Sequence, residues 1–248
     1  MISRGIQRLA GVAVLGAVLL SQPALADVSS VFLRIDASTD TTSGFFEVMT
    51  SDVTYDPSAD SYSWSGSNIS IDDGVSQLAS VQNFTMFVRQ DPMITMLFGI
   101  QAAASDVSVV ITSPLVSFPT LTNPDAVASM GLTLSDSDGS GNAALTGTAG
   151  TSGTLAYSAQ YNGLAPGGTV FAEGISGLQV STVAGSDDDN INSGSQTIAG
   201  GVSDMSTQLS FDLSAMDSAS GTGFFVIVPE PSAFALLVLG FGLIRRRG

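Results

Sequence analysis

The sequence predicts an all-β protein, with residues 27–228 folded as an antiparallel β-sandwich or jelly-roll-like domain. Apolar residues alternate with polar ones in many short runs, and the cleanest run places Leu209, Phe211 and Leu213 on one face of a strand. Residues that favour turns separate these runs. Because each such strand has one apolar face to bury, the strands are expected to pair into sheets that pack face to face.

The predicted strands follow one another along the whole of this region. The clearest runs with a period of two residues lie at 31–35, 94–100, 107–111, 155–161 and 209–214. Shorter runs lie at 44–50, 68–72, 81–88, 130–135, 169–172, 178–183 and 223–228. Turn signals such as Asp72-Asp73-Gly74 and Pro166-Gly167-Gly168 fall between them.

Evidence for helices is sparse in residues 27–228. Asn123 could cap one or two helical turns over 126–130, with Gly131 just past their end. Two polar, glycine-rich stretches at 135–154 and 184–203 are interpreted as surface loops or weak strands. We expect a single β domain, with a division near residue 120 as the alternative.

The composition excludes several classes of function. The formal charge of the chain is −15, and between residues 27 and 228 only Arg34 and Arg89 oppose 21 acidic residues, which gives −19. The chain contains no Cys, His or Lys, so disulfides, thiolate or imidazole metal sites, Ser-His-Asp triads and Schiff bases are excluded. No nucleic-acid partner is expected, because phosphate binding requires a basic face.

Residues 1–26 are predicted to be a secretory signal peptide. Two arginines precede an unbroken apolar run at 9–20, and Ala24 and Ala26 supply the small residues before a cleavage site at Asp27. As a helix, the apolar run would span about 18 Å, which is shorter than a bilayer core of about 30 Å. We therefore expect removal on export, with an uncleaved membrane anchor as the alternative.

Residues 229–248 contain three consecutive elements. Pro229 and Pro231 favour extended backbone at the residues before them. An apolar segment at 232–244 follows, which as a transmembrane helix would be about 20 Å long. Basic residues end the chain and would hold it at the cytoplasmic side of the inner membrane. The residues that define this pattern are Val228, Pro229, Glu230, Pro231, Arg245, Arg246 and Arg247.

This tail resembles the PEP-CTERM sorting signal of Gram-negative bacteria. The resemblance covers only about the last twenty residues, and the apolar segment is at the short end for that family. It implies recognition by a membrane-embedded exosortase-type protease, transient anchoring in the inner membrane, and delivery to the cell surface or the extracellular matrix. It also implies a host that makes exopolysaccharide and biofilm. A C-terminal anchor that is never cleaved is the alternative interpretation.

Two groups of aspartates are candidate Ca²⁺ ligands. Asp136 and Asp138 begin a glycine-containing segment in which alternate carboxylates can converge on a hard cation. As an EF-hand the segment fails at its twelfth position, Gly147, and an ordinary surface turn is the simpler interpretation. The second group consists of Asp187, Asp188 and Asp189, for which a solvated loop is the alternative.

Aromatic and acidic residues provide two further hypotheses. Tyr62 and Trp64 share one face of a strand and could stack on sugar rings, although core packing explains the same pattern. Hydrolysis by two carboxylates is the common catalytic scheme left open by the composition, and Glu47 and Glu173 are its candidates. A solvent-facing structural role is favoured for both glutamates.

These observations together predict an exported, non-enzymatic protein with a structural or interaction role in an exopolysaccharide or biofilm matrix. A carbohydrate-binding module is the alternative, and a secreted carboxylate hydrolase is a third. The expected partners are the secretion machinery, an exosortase-type protease and exopolysaccharide. No cofactor other than Ca²⁺ is expected.

Overall fold

The computed structural model describes residues 27–229, so the signal peptide predicted at 1–26 and the tail from Glu230 onward lie outside the described residues. Within this range the chain forms eighteen strands and one 3-10 turn, Thr50–Asp52. No helix in the same range is long and apolar enough to cross a bilayer. The strands are β1 (Asp27–Val28), β2 (Val31–Ser38), β3 (Ser43–Met49), β4 (Thr54–Asp56), β5 (Ser61–Asp72), β6 (Gln77–Arg89), β7 (Met93–Ala102), β8 (Val107–Thr112), β9 (Val116–Thr122), β10 (Asp125–Ser135), β11 (Ala143–Gly147), β12 (Tyr157–Tyr161), β13 (Thr169–Gly174), β14 (Gly177–Val180), β15 (Ser186–Asn192), β16 (Gln196–Thr197), β17 (Gly201–Leu213) and β18 (Ser218–Val228).

Sheet 1 is built around β17. Leu209 pairs with Ile111 of β8 and also with Tyr157 of β12, so β8 and β12 lie on opposite edges of β17. Because β17 is 13 residues long, each of its edges pairs with two strands. β9 pairs with the same edge as β8, and β11 pairs with the same edge as β12. Beyond β8 the sheet continues through β2 to β3, and β13 and β14 lie outside β12 and β11.

Sheet 2 is a simpler antiparallel sheet in the order β15-β10-β18-β7-β6-β5-β4, with β16 beside β15 on the same edge of β10. Its interior strand β18 pairs along its whole length with β10 and along most of it with β7. Both sheets therefore mix strands from the two sides of residue 120.

One hydrophobic core lies between the two sheets. Phe98 of β7 stacks on Phe211 of β17 with ring centroids 6.4 Å apart, and Phe225 of β18 stacks on Phe171 of β13 at 5.4 Å. Burial of such a side chain contributes about 1.5–3 kcal/mol. The core residues alternate with outward-facing residues along each strand, because successive side chains of a strand point to opposite faces of the sheet.

The prediction of an all-β antiparallel fold is confirmed, and two packed sheets are consistent with a β-sandwich. The predicted helix at 126–130 is wrong. These residues belong to β10, in which Ala126, Ala128 and Met130 are buried on one face. Asn123 does not cap a helix: it has a positive φ of 49° and its side-chain oxygen accepts the N–H of Gly200.

The two glycine-rich stretches contain both strands and loops. The stretch at 135–154 includes β11, and that at 184–203 includes β15, β16 and the start of β17. β15 carries no apolar face because it lies at an edge of sheet 2, where little of its surface is covered. Apolar alternation is therefore a poor signal for such strands.

A buried hydroxyl provides a test of the core. Tyr157 is 1% exposed, and its hydroxyl has no hydrogen-bond partner among the described residues. Burial also raises the pKa of this phenol. An unpartnered buried hydroxyl costs about 1–3 kcal/mol, so Tyr157→Phe should leave the free energy of unfolding unchanged or raise it by about 1 kcal/mol, as measured by urea titration.

Thr207→Val is the companion variant, because the Thr207 hydroxyl also lacks a partner in the described part of the chain. It should behave in the same way. A loss of more than about 1 kcal/mol in either variant would mean that the hydroxyl makes a stabilising hydrogen bond.

Candidate functional site

Three aspartates converge at one end of sheet 2, beside the segment that joins β17 of sheet 1 to β18 of sheet 2. Asp136 directly follows β10, and Asp217 directly precedes β18; the adjoining residues, Ser135 and Ser218, are cross-strand partners. Asp138 lies in the turn after Asp136. Each aspartate offers one carboxylate oxygen, and the three oxygens lie within 4.8 Å of one another. Asp136 and Asp217 are buried and Asp138 is exposed.

Backbone N–H groups hold the Asp136 carboxylate in place. One oxygen accepts the N–H groups of Gly141 at 2.9 Å and Ala184 at 2.7 Å, and the other accepts the N–H and the hydroxyl of Ser140. Burial by itself raises the pKa of Asp136, but these hydrogen bonds outweigh it and hold the pKa below its ordinary value. The loop after β10 is therefore ordered by its own N–H groups and by that of Ala184, from the segment between β14 and β15.

Asp217 links the loop after β10 to the segment between β17 and β18. Its carboxylate accepts the N–H of Ser137 at 3.2 Å and the hydroxyl of Ser214 at 2.6 Å. No ion pair reaches the cluster in the part of the chain that the structure describes, because Arg34 pairs with Asp36 and Glu47, and Arg89 pairs with Asp91. Adjacent carboxylates without a basic partner are a chemically suitable environment for a hard cation.

The sequence identified two members of this cluster and missed the third. Asp136 and Asp138 were predicted from their spacing, and the structure brings them together. Asp217 lies 79 positions after Asp138, and only the pairing of β10 with β18 places it there. Its neighbour Ser218 begins a strand whose first six residues are small and uncharged, so the sequence contained no local signal for Asp217.

The aspartates at 187–189 lie in β15, not in a loop. Successive side chains of a strand point to opposite faces, so only Asp187 and Asp189 share a face. Asp187 accepts the N–H of Gln179 of β14 at 3.0 Å, which links the edges of the two sheets. Asp188 lies on the outer face opposite Thr133.

The aromatic pair predicted for sugar stacking takes part in packing. Trp64 is partly buried against the core, with its ring centroid 5.7 Å from Phe46 and 6.2 Å from Phe84. Tyr62 is also partly buried and packs on its cross-strand partner Tyr55, with centroids 4.7 Å apart. Both side chains lie on the core-facing side of β5.

Glu47 and Glu173 are too far apart to act as a catalytic pair. They lie at opposite ends of one row across sheet 1, separated by five strand spacings. At about 4.8 Å per spacing the row is about 24 Å long, whereas paired carboxylates in glycosidases lie about 5–9.5 Å apart. Each glutamate has a structural partner: Glu47 accepts Arg34 at 3.2 Å, and Glu173 accepts the N–H of Thr151 at 2.8 Å.

The predicted processing sites border the folded region. Asp27 is the first residue of β1 and pairs with Ser117. Val228 ends β18, is 49% exposed and is followed by exposed Pro229. The remaining predicted residues lie outside the described residues, as does the predicted transmembrane helix: Ala24, Ala26, Glu230, Pro231, Arg245, Arg246 and Arg247.

No model of a known protein family matches the sequence, and no curated protein is significantly similar to it. Among solved structures, the enzymatically active domain of tailspike protein 4 from bacteriophage CBA120 matches 79% of this chain, with 9% identity and a TM-score of 0.31. The chain spans about a fifth of the tailspike chain, since the match covers 19% of it. A TM-score this low does not define a shared fold.

The lowered pKa of Asp136 predicts a pH-dependent contribution to stability. Because the folded-state pKa is below the unfolded value of about 3.9, the stabilisation is fully present above about pH 5 and is lost as the pH falls through the folded-state pKa. Asp136→Asn should therefore lower the melting temperature by several degrees at pH 7, and by less at pH 3. Thermal melts between these pH values measure the difference.

Asp188→Asn is the matched control, because it removes the same charge from an exposed site whose carboxylate accepts no hydrogen bond from another residue of the described chain. It should change the melting temperature little at either pH. A constant deficit for Asp136→Asn from pH 7 to pH 3 would contradict the assignment.

Proposed function

We propose that the chain is an exported protein of the cell surface or extracellular matrix, with a structural or interaction role, sorted through its C-terminal tail by an exosortase-type protease. The observation that carries this proposal is the order of elements at the C-terminus: a folded β domain, the motif at 228–231, an apolar segment at 232–244 and three arginines. The signal peptide predicted at 1–26 supplies the export that this route requires.

The way the domain ends supports this route. β18 lies between β7 and β10, so the tail leaves from an interior strand of sheet 2 and not from a loose edge. Val228 is the last paired residue, opposite Asp125, and Pro229 has no N–H with which to extend the pairing. The motif therefore begins at a fixed position, where Val228 and Pro229 are exposed.

The charge of the domain fits an extracellular environment crowded with polymer. A formal charge of −19 between residues 27 and 228 keeps such domains apart and soluble at high local concentration. Divalent cations can then bridge its carboxylates to anionic polymer. The aspartates of β15 also protect an open edge of sheet 2 from pairing with other chains.

The sorting route predicts different outcomes for two sets of variants. Pro229→Ala combined with Pro231→Ala should leave membrane insertion intact but abolish processing, because an extended motif is lost. Replacing Arg245, Arg246 and Arg247 with Ser should weaken retention at the inner membrane. Fractionation in a host that has an exosortase measures both processing and retention at the inner membrane. The processed wild-type protein should begin at Asp27.

Pro57→Ala is the matched control, because Pro57 lies in an exposed turn of the folded domain. It should be processed like the wild type. If the double proline variant also reaches the surface in processed form, the sorting hypothesis fails and a plain anchor replaces it.

We also propose that Asp136, Asp138 and Asp217 bind Ca²⁺. Support comes from the three converging carboxylate oxygens and the lack of a basic partner among the described residues. The alternative is a turn that the hydrogen bonds of Asp136 hold without an ion. Backbone carbonyls, hydroxyls and water would have to complete the six to eight oxygens that Ca²⁺ takes.

Calcium binding should raise the melting temperature, because a ligand that binds only the folded state stabilises it by mass action. We expect a rise of several degrees between EDTA and millimolar Ca²⁺ in the wild type, and none in Asp138→Asn, which removes the exposed ligand. Asp188→Asn should keep the rise. An unchanged wild-type melting curve would leave the turn as the correct interpretation.

A further inference from the structure

A groove of about 500 Å³ crosses the outer face of sheet 2. Two neighbouring rows of outward-facing residues form it, and each row crosses from β6 or β7 through β18 and β10 to β15. The first row is Asn83, Gly99, Ser220, Thr133 and Asp188, each the cross-strand partner of the next. The second row is Leu97, Thr222, Gly131 and Asn190.

Local features of the sequence open this groove. A register irregularity between Val81 and Asn83 in β6 places Asn83 on the outer face, where it is exposed. Its amide lies across Gly99, because a Cβ atom at Gly99 would come within 3.2 Å of the Asn83 side-chain oxygen. At Gly131 a Cβ would meet no atom closer than 4.0 Å, so the floor of the groove is empty there.

The lining has a restricted chemistry. Hydroxyl groups come from Ser220, Thr222 and Thr133, and amides come from Asn83 and Asn190. Leu97, which is 44% exposed, adds an apolar surface, and Phe98 and Leu132 also line the groove. The charged lining groups are carboxylates at the β15 end, and no arginine of residues 27–229 lines the groove. Such a surface offers donors and acceptors to a ligand rich in hydroxyls and repels phosphate, sulfate and carboxylate groups.

The dimensions favour a polymer over a small molecule. The first row crosses five strands, which are four spacings of about 4.8 Å, so the groove is about 19 Å long. Pockets for small ligands bury most of the ligand surface, whereas this groove is an open channel on a sheet face. An extended chain can lie in it across the strands, with polar groups of each unit facing the two rows.

We propose that this groove binds a neutral polysaccharide chain, with Leu97 contacting an apolar sugar face and the hydroxyl and amide rows binding sugar hydroxyls. The site shares no residue with Tyr62 and Trp64, whose side chains lie on the opposite, core-facing side of sheet 2. It extends the proposed interaction role, but it does not depend on the sorting tail, so each proposal can fail without the other.

Gly131 allows a precise block of the groove. Its φ is not in the left-handed region and its Cβ position is free, so Gly131→Phe should fold normally and fill the floor with a ring. Gly131→Ala adds only a methyl group at the same position. Thr146→Phe is the matched control, because it places the same exposed ring on β11 in sheet 1.

The experiment is native affinity electrophoresis of the purified full-length chain in non-ionic detergent. The neutral probes are laminarin, galactomannan, xyloglucan and hydroxyethylcellulose, and the anionic probe is polygalacturonate. At least one neutral probe should retard the wild type, Gly131→Ala and Thr146→Phe. Gly131→Phe should weaken that retardation at least about tenfold in Kd, with an unchanged melting temperature.

Three outcomes would overturn the proposal: no retardation by any neutral probe, equal retardation of Gly131→Phe and wild type, or stronger retardation by polygalacturonate than by every neutral probe. If Gly131→Phe has a lowered melting temperature, Asn83→Ala replaces it, because Asn83 is exposed and its removal leaves the core untouched. Retardation of Asn83→Ala equal to that of the wild type would then overturn the proposal. Surface delivery of Gly131→Phe in the fractionation assay should be normal, which separates this result from the sorting hypothesis.

Discussion

Among the crossings of the chain between the two sheets, the fold depends most on the one at residues 214–217. β17, which ends at Leu213, pairs with four other strands of sheet 1, and β18, which begins at Ser218, is an interior strand of sheet 2 that pairs with β10 and β7. Four residues must therefore pass from one sheet to the other at the end of the core. The backbone groups there are satisfied by neighbouring segments: Met216 donates its N–H to Ala103, and Asp217 accepts the N–H of Ala102. Because these contacts hold the end of β17 and the start of β18 in place, they also position the strands that pair with β17 and β18.

Asp217 shows why a charged group is tolerated at this crossing. Its carboxylate is 1% exposed, which would be unfavourable without partners. The Ser137 N–H and the Ser214 hydroxyl supply them, and Ser214 in turn contacts the backbone of Ala144 in β11. The acidic cluster is thus first a structural joint between β10, β11 and β18. Any cation bound there would reinforce a joint that already exists.

The sequence predicted the strands that bury one apolar face. It did not predict the features that depend on strand pairing or on the position of a strand in its sheet. The alternation at 209–213 marked β17 correctly, because those residues face the core. The segment 126–130 was interpreted as one or two helical turns because Asn123 and Gly131 resemble helix caps, and only sheet pairing reveals that β10 buries one face of this segment in the core. The stretch 184–203 was left open between surface loops and weak strands, because the edge position of β15 removes the need for an apolar face. Asp217 and the row of Asn83, Ser220 and Thr133 could not be assembled from sequence, because each grouping depends on the register between strands far apart in the chain.

The two outer faces of the sandwich differ, and the difference bears on how the domain would sit at a surface. On sheet 1, Arg34 is already occupied: it pairs with Asp36 and Glu47 and lies 4.4 Å from the ring centroid of Phe45. On sheet 2 the polar rows around Thr222 face an open groove. Thr222 and Val228 lie on the same strand, six residues or about 20 Å apart. Since the rows run across the strands, a polymer in the groove would lie roughly perpendicular to β18, the strand that leads into the tail. A domain tethered by that tail would therefore present the groove about 20 Å from Val228, the last paired residue before the tail.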